Sequence, residues 1–483
     1  MYNYSISQNL KDVLKNRIKI LISPILYDLI DFMVDNLFAT NAENKYFWLI
    51  STVQSSVREM VRKAIISTFE EIDENYKNSA ERLSSYYINK SNVSRSLITI
   101  IGEISFTRTY FKCKYSNKKF FFIDKVFELP KYDHYDPIVK AIAVNNSINT
   151  SQAQASRDIS AFAGDLKYFM DPNSVNTIPR QSIYNWIKEW NTPNIVPASI
   201  DTPETLYVMA DEKYIGAQDI EKDIMVKCFV TFEDIKDVSK HRRALVNRSV
   251  FSCYYSNAWP LFMDYIAKSY DFYQIKNIAL LADGGNWIKT GLAELRLDAN
   301  NKVKFYLCEF HFKNAINRIT SNEDERKNLL QIFTNEKKKD FIDAVNTIIE
   351  NDKNREEIIT KNLNYIVNNY ASIKAMLELN IGSSMESHIS HLIASFFSSR
   401  PKGFSTKRID QYLKLNDYKN NGFNIFQLYM QSYNNDEVIE IGEAEANNYI
   451  FDNSNRGNIT ILNDGHVTGT YKELKSLAHE LVY

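Results

Sequence analysis

Glycine and proline are scarce in this 483-residue chain, at 13 and 10 residues. That scarcity excludes a loop-rich protein and favours long regular elements. No short-period repeat of the kind that builds a solenoid is visible. Cysteine is scarcer still. Cys113, Cys228, Cys253 and Cys308 lie far apart without a C-x-x-C pair, so neither a disulfide framework nor a zinc knuckle is expected, and a reducing interior is the simplest home. Charge excess of either sign is missing: 58 Lys+Arg against 59 Asp+Glu leave a net of −1. No global field therefore draws the chain to nucleic acid or membrane, and any basic site has to be local. Long apolar runs are also absent near the start, where MYNYSISQNLKDVLKNR is followed by a stretch broken by Pro24, Asp28 and Asp31. No signal peptide or membrane span is expected from it. What is present, 44% hydrophobic and 24% charged residues, excludes a mostly disordered chain. The length is about three times the ~150 residues of a typical domain, so two or three domains are expected.

Residues 1–85 read as helices, because apolar positions recur at three and four residue spacing. Near Lys90 the texture changes to SLITIIGEISFTRTYFKCK, a polar YSNK turn and KFFFIDKVFEL, a β-hairpin pattern. Eight basic residues between Lys90 and Lys125, Arg108, Lys112 and Lys114 among them, stand against Glu103 and Asp124. Clustered cations of this kind suit a phosphate backbone; edge strands carry lysines to prevent sheet-to-sheet pairing as well. Further on, TSQAQASRDISAFAG and IPRQSIYNWIKEW read as two helices. The second buries Ile183, Trp186 and Ile187 and presents Arg180, Gln181, Ser182, Tyr184 and Asn185, as a helix-turn-helix or an ordinary helical hairpin would. The region 86–200 is thus expected to be a DNA-binding module.

From Leu206 the order changes to three strands, helix, strand, helix, strand: LYVMADEKYIG, IMVKCFVTFEDI, RRALVNRSVFSCYY, WPLFMDYIAKSY, KNIALLADGG, NWIKTGLAEL and KVKFYLCEFH. That is a mixed α/β order, with KNIALLA short and apolar as expected for a strand covered on both faces. Asp211 is expected to end the first strand and Asp283 the fourth, near one edge of a central sheet. A helical, charged stretch over 321–380 separates them from GSSMESHISHLIASFFSSRP, where Glu386 opens a helix that also carries His388 and His391. Converging carboxylates suit a pair of Mg²⁺ or Mn²⁺ ions and hence phosphoryl transfer. Strand-terminal aspartates also serve as caps and turn residues. Residues 416–483 are read as a separate C-terminal region with a hairpin turn at Asn463-Asp464-Gly465.

Several of these segments taken in order, LITIIGEISFTRTYF, PRQSIYNWIKEW, MADEKYI, LADGGNWIK, CEFH, YIVNNYASIK and GSSMESHISHLIASFFSSRPKGFS, resemble the ISLre-type insertion-sequence transposases. The resemblance implies an α/β multidomain protein with a ribonuclease-H-like mixed-sheet core over 201–320 and 381–415, interrupted by a helical insertion at 321–380. It implies a DDE triad of Asp211, Asp283 and Glu386 binding two divalent ions, with Glu212 directly after the first acid. It further implies DNA partners, namely element terminal repeats and target DNA, and cleavage followed by strand transfer. Two element ends have to meet, so a homo-oligomer is expected, at work in the bacterial cytoplasm on the nucleoid. Cys308 and His311 resemble a C/D-x-x-H signature that shapes the site or handles DNA. A buried structural histidine fits the same residues, and a metal site does not, since only two soft ligands are offered. Arg400 and Lys402, with Lys407 and Arg408 beyond, would hold phosphates beside the metals or stabilise a helix end. A nuclease or resolvase on the same acids, and a catalytically inactive DNA-binding descendant, are the competing readings.

Overall fold

The computed structural model describes residues 8–38, 45–129, 132–164, 177–198, 202–239, 242–295, 302–379, 390–397, 404–433 and 449–451. They form a mixed α/β protein of two compact units: Met1–Trp190 with Tyr429–Asn435, and Asn191–Leu428 with Asp436–Tyr483.

In the first unit, helices α1 (Gln8–Phe38) and α2 (Lys45–Lys77) pack side by side, and α3 (Ala80–Ser85) follows. The Ser79 hydroxyl accepts from the Arg82 N–H at 3.2 Å and so caps α3. Strands β1 (Tyr86–Thr99) and β2 (Gly102–Cys113) form an antiparallel hairpin that ends in the pair Thr99 and Gly102. Gly102 has φ +104°, a conformation that L side chains rarely adopt, so this turn requires glycine. Burial alternates along β2, and Ile104, Phe106 and Phe111 pack with Phe69, Ile72 and Tyr76 of α2 in one core.

The hairpin expected at the YSNK turn is present but short, with Lys112 of β2 opposite Lys119 in an antiparallel pair. β1 and β2 turn at Ile100–Ile101, and KFFFIDKV makes only a three-residue strand β3 (Lys119–Phe121) before helix α4 (Phe122–Val126). Phe122 and Ile123 explain the change, because adjacent residues can both be buried on a helix turn but not on one face of a strand. Helices α5 (Pro137–Asn149), α6 (Gln152–Gly164) and α7 (Arg180–Glu189) pack mutually. The tight connection lies between α5 and α6. Most of the stretch between α6 and α7, residues 165–176, lies outside the described residues, and with it the connection expected of a helix-turn-helix. Ile183, Trp186 and Ile187 are buried as the spacing predicts.

The second unit is built on a five-stranded sheet of order β11-β10-β5-β6-β9, and a short strand β4 (Ile195–Pro197) precedes it. β5 (Thr205–Ile215) is central. It pairs antiparallel with β6 (Ile224–Phe232) and parallel with β10 (Asn277–Ala282). The outer strands are β9 (Ser249–Cys253), antiparallel to β6, and β11 (Lys302–Leu307), parallel to β10. Between β6 and β9 a separate ribbon of β7 (Asp234–Ser239) and β8 (Arg242–Val246) departs from the expected single strands. Alternating polar residues in β7 explain why it leaves the buried sheet.

Helices α8 (Ala258–Ser269) and α9 (Asn286–Leu295) cover one sheet face, where Trp259, Phe262 and Ile288 join Leu206, Val208 and Leu280 in a core. Gly291 lets the Trp259 ring lie on α9, since a Cβ there would sit 1.7 Å from a ring atom. The expected helical stretch is α10 (Glu309–Ile319), α11 (Glu323–Asn335), α12 (Lys338–Asn351), α13 (Glu356–Asn368) and α14 (Tyr370–Leu379), with a core of its own around Phe312, Phe333 and Phe341. A π-helical turn, Ser390–Ala394, carries buried Leu392 and Ile393.

Helices α15 (Thr406–Asn420) and α16 (Ile425–Gln431) follow. α15 closes the open side of β9 with side chains. Asp417 Oδ2 accepts from the Ser252 N–H at 2.6 Å and Asn421 Oδ1 accepts from the Val250 N–H at 2.7 Å. Asn421 Nδ2 donates back to the Val250 carbonyl at 2.9 Å, so an edge strand finds its missing ladder in a helix. Strand β12 (Tyr449–Phe451) pairs with β4; the turn expected at Asn463-Asp464-Gly465 lies outside the described residues.

Candidate functional site

β5 and β10 run parallel, with Ala210 opposite Ala282 as the last paired residues. Asp211 and Asp283 come next on their strands, so the two acids stand side by side at one level of the sheet, neighbouring strands being about 4.8 Å apart. Asp211 does not end its strand: β5 continues to Ile215, and Asp211 pairs with Cys228 of β6. The expected strand end is thereby moved four residues on, because β6 extends further than β10 and keeps β5 paired.

Asp283 does leave the sheet, through a turn that its own side chain builds. Its Oδ1 accepts from the Gly285 N–H at 2.8 Å, and Gly284 takes φ +83°. The GG pair in LADGGNWIK is therefore required for conformation and for close approach to the carboxylate. Tyr365 of α13 donates its hydroxyl to the Asp283 carbonyl at 2.9 Å, tying the helical stretch to this turn.

Glu212, next after Asp211, joins them. One carboxylate oxygen each from Asp211, Glu212 and Asp283 lies within 4.8 Å of the others, a grouping able to hold a metal among the described residues. Glu212 accepts a hydrogen bond from the Trp287 indole N–H. Trp287 is held in turn, its carbonyl accepting from Trp259 Nε1 at 2.8 Å. Lys227 pairs with Glu212 across the strands. It is buried and donates to the Tyr255 carbonyl at 2.6 Å. Nothing in the alternation of β5 announces Glu212 as a partner of Asp283; the indole donor in GGNW is the available signal.

Asp211 is only 8% exposed. Burial, reinforced by the charges of Asp283 and Glu212, pushes its carboxyl up to about 6 against the relief from the Glu212 N–H and from His311. His311 is raised by its hydrogen bond with Cys308 first, and also by Asp211 and Asp283. The CEFH tetrad therefore delivers an imidazole to the acids. It does so from the first turn of α10 and not from a strand, because β11 stops at Leu307 and Cys308 occupies the N-cap position. The buried Cys308 N–H continues the sheet by donating to the Ala282 carbonyl at 2.9 Å.

The donor set fits a hard divalent ion. Mg²⁺ takes oxygen ligands at 2.0–2.1 Å, which puts opposite oxygens about 4.2 Å apart, and the three carboxylate oxygens lie within 4.8 Å of one another. Glu386 and His388, and likewise Arg400 and Lys402, lie outside the described residues. Lys407 and Arg408 lie in the first turn of α15, where Asp219 accepts from the Thr406 N–H at 2.9 Å.

In the first unit, Arg180 and Gln181 are exposed, while Ser182 and Tyr184 are half-buried on α7. Arg108 does not face outward: it pairs with Asp124, which also binds Arg95 at 3.0 Å, and lies 3.7 Å from the Phe121 ring centroid. Two of the eight cations in the basic patch are thus engaged by one carboxylate, because Asp124 on α4 reaches back to the hairpin. Lys114 donates to the Leu83 carbonyl at 2.5 Å, and Lys112 is half-buried.

Residues 44–432 match the model of a family described as "Uncharacterised protein family (UPF0236)". The chain belongs to the UPF0236 family. The resemblance to ISLre-type transposases is corrected by this match: every segment that carried it lies inside the matched span, and their family is UPF0236. Among relatives are three UPF0236 proteins of Caldanaerobacter subterraneus subsp. tengcongensis, 26%, 26% and 25% identical to this chain. Each alignment covers 90% of this chain and 92%, 87% and 93% of the respective relative. The UPF0236 family occurs as many paralogues in that one genome, and one printed name joins eleven designations. No described helix is long and apolar enough to cross a membrane.

Proposed function

We propose that this UPF0236 protein is a DNA transposase, which cuts and joins phosphodiesters at the ends of a mobile element by the carboxylates of its central sheet. The observation that carries the reading is the level placement of Asp211 and Asp283 on parallel neighbouring strands. In chain order the first acid stands on the first strand of the sheet and the second directly after the fourth, the order expected of a ribonuclease-H-like core. Many copies of the family in one genome are what an element that multiplies itself leaves behind.

In this reading Asp211 and Asp283 would hold the divalent ions that face the scissile phosphate, and Glu386 would complete the triad. Glu212, anchored by the Trp287 indole, is a further oxygen donor. A pair of Mg²⁺ or Mn²⁺ ions would supply an activated hydroxide and neutralise the charge that builds on phosphorus. His311, raised first by its hydrogen bond with Cys308 and further by the charges of Asp211 and Asp283, sets a titratable imidazole near the acids. Helix α7, with Arg180, Gln181, Ser182 and Tyr184, and the lysines of the hairpin, Lys112 and Lys114 among them, would hold the element ends, and Arg400 and Lys402 the phosphates near the acids. Synapsis of two ends calls for a homo-oligomer, acting in the bacterial cytoplasm on the nucleoid.

The test is a cleavage and strand-transfer assay with the full chain, Mg²⁺ or Mn²⁺, and DNA carrying both flanks of its own coding region. Asp283→Ala is expected to lose both steps by at least about 10²-fold while retaining end binding. Undiminished activity in that variant refutes the assignment. Cleavage without joining identifies a nuclease, and binding without either step an inactive DNA-binding protein.

A further inference from the structure

We infer that α1 is the seam of a homodimer, packed antiparallel against α1 of a second copy. The inference stands apart from the strand-transfer reading, because it rests on a helix remote in sequence from the acids.

Helix α1 is apolar on two sides. Leu14 and Leu29 face the unit's own interior, at 9% and 7% exposure. On the far side Val13, Ile20, Tyr27 and Val34 are 41%, 73%, 66% and 47% exposed, with Ile30 beside them at 45%. A helix with apolar residues all round is normally enclosed, whereas among the described residues α1 packs chiefly against α2. The four outer residues recur every seven positions, the spacing by which one helix meets another along its length. A lipid span is a poor fit: no described helix is long and apolar enough to cross a membrane.

Charge selects the partner and its direction. Before Ser23, α1 carries Lys11, Lys15, Arg17 and Lys19 against one acid, Asp12; after it come Asp28, Asp31 and Asp35 and no cation. Arg17 is engaged with Glu71 of α2 and Lys15 lies 3.9 Å from Asp12, yet the two halves keep opposite signs. An antiparallel copy sets each basic half against an acidic half, while a parallel copy would oppose like to like. The same patch is then complementary to itself about a two-fold axis, as the commonest dimer symmetry requires. Pro24 lies at the midpoint of the stripe, where two copies would cross. The five outer apolar side chains alone offer about 500 Å² per copy, so a pair with its flanking charges reaches the ~1,000 Å² of a specific interface.

The experiment is sedimentation equilibrium on the full chain, with far-UV circular dichroism as the folding control. The wild type is expected to be dimeric at about 100 μM, where a micromolar Kd is fully expressed, and Ile20→Lys to weaken association about tenfold or more. Two charge variants keep the test independent of folding. One chain carries Asp28→Lys, Asp31→Lys and Asp35→Lys; the other carries Lys11→Asp, Lys15→Asp and Lys19→Asp. Each should lose self-association, and the two mixed should form a heterodimer. A monomeric wild type, or a dimer indifferent to Ile20→Lys, overturns the inference. So does binding of the wild type to phosphatidylcholine vesicles that Ile20→Lys abolishes.

Discussion

Asp211 and Asp283 occupy matching places one residue beyond Ala210 and Ala282, the last pair that β5 and β10 share. The arrangement gathers negative charge at a buried point, and a divalent cation should relieve it. Mn²⁺ is therefore expected to raise the melting temperature of the wild type, by about 2.7 kcal/mol of linkage at a hundredfold excess over Kd. Asp283→Ala should abolish the shift. Protons compete at Asp211, pushed up to about 6 by burial, so the stabilisation should fade as pH falls through about 6. Differential scanning fluorimetry across pH, with and without Mn²⁺, checks both statements.

Tyr365 reaches from α13 to the Asp283 carbonyl. Tyr365→Phe removes that bond alone and should cost about 1 kcal/mol in stability. If the turn positions Asp283 for the cation, Mn²⁺ affinity should fall several-fold as well. Isothermal calorimetry on the two proteins separates the effects.

Asp417 is buried, and burial holds its carboxyl well above the ordinary range in spite of the Ser252 N–H. The folded state then binds a proton that the unfolded chain releases at its ordinary value of 3.8. Stability should thus be greatest below about pH 4 for this group and decline as pH rises through the raised folded value. Asp417→Asn keeps the acceptor and should flatten the decline, giving the variant the advantage at neutral pH in urea titrations. Asp417→Ala, which leaves the Ser252 N–H unpaired, should cost about 1–3 kcal/mol at any pH.

At Gly291 a methyl group would overlap the Trp259 ring. Gly291→Ala should cost about 3 kcal/mol and loosen Trp287, whose carbonyl accepts from Trp259. A tryptophan fluorescence change together with an earlier thermal transition is the expected result.

Much of the central sheet is legible in the chain itself. Ile278–Ala282 is a covered stretch of strand because it contains no polar residue to face solvent, and the aspartate after it falls at the strand end as the apolar run predicts. Asp211 is harder, since β5 stays paired past it through contacts with β6 that no local pattern encodes. The same holds for Glu212 with Trp287, 75 residues apart, and for Tyr365 with Asp283, 82 apart. Arg108 reads as a surface cation until α4 brings Asp124 beneath it. The segments that resembled the ISLre-type transposases all lie within residues 44–432, the span that matches UPF0236.

The carboxylate and amide that α15 lends to β9 have a consequence for how molecules of this protein meet. With the Val250 and Ser252 amides already engaged, that flank offers an incoming chain little to zip onto, and runaway strand-by-strand growth is blocked there without a charged or proline-bearing border. The sheet is finite by construction on this flank.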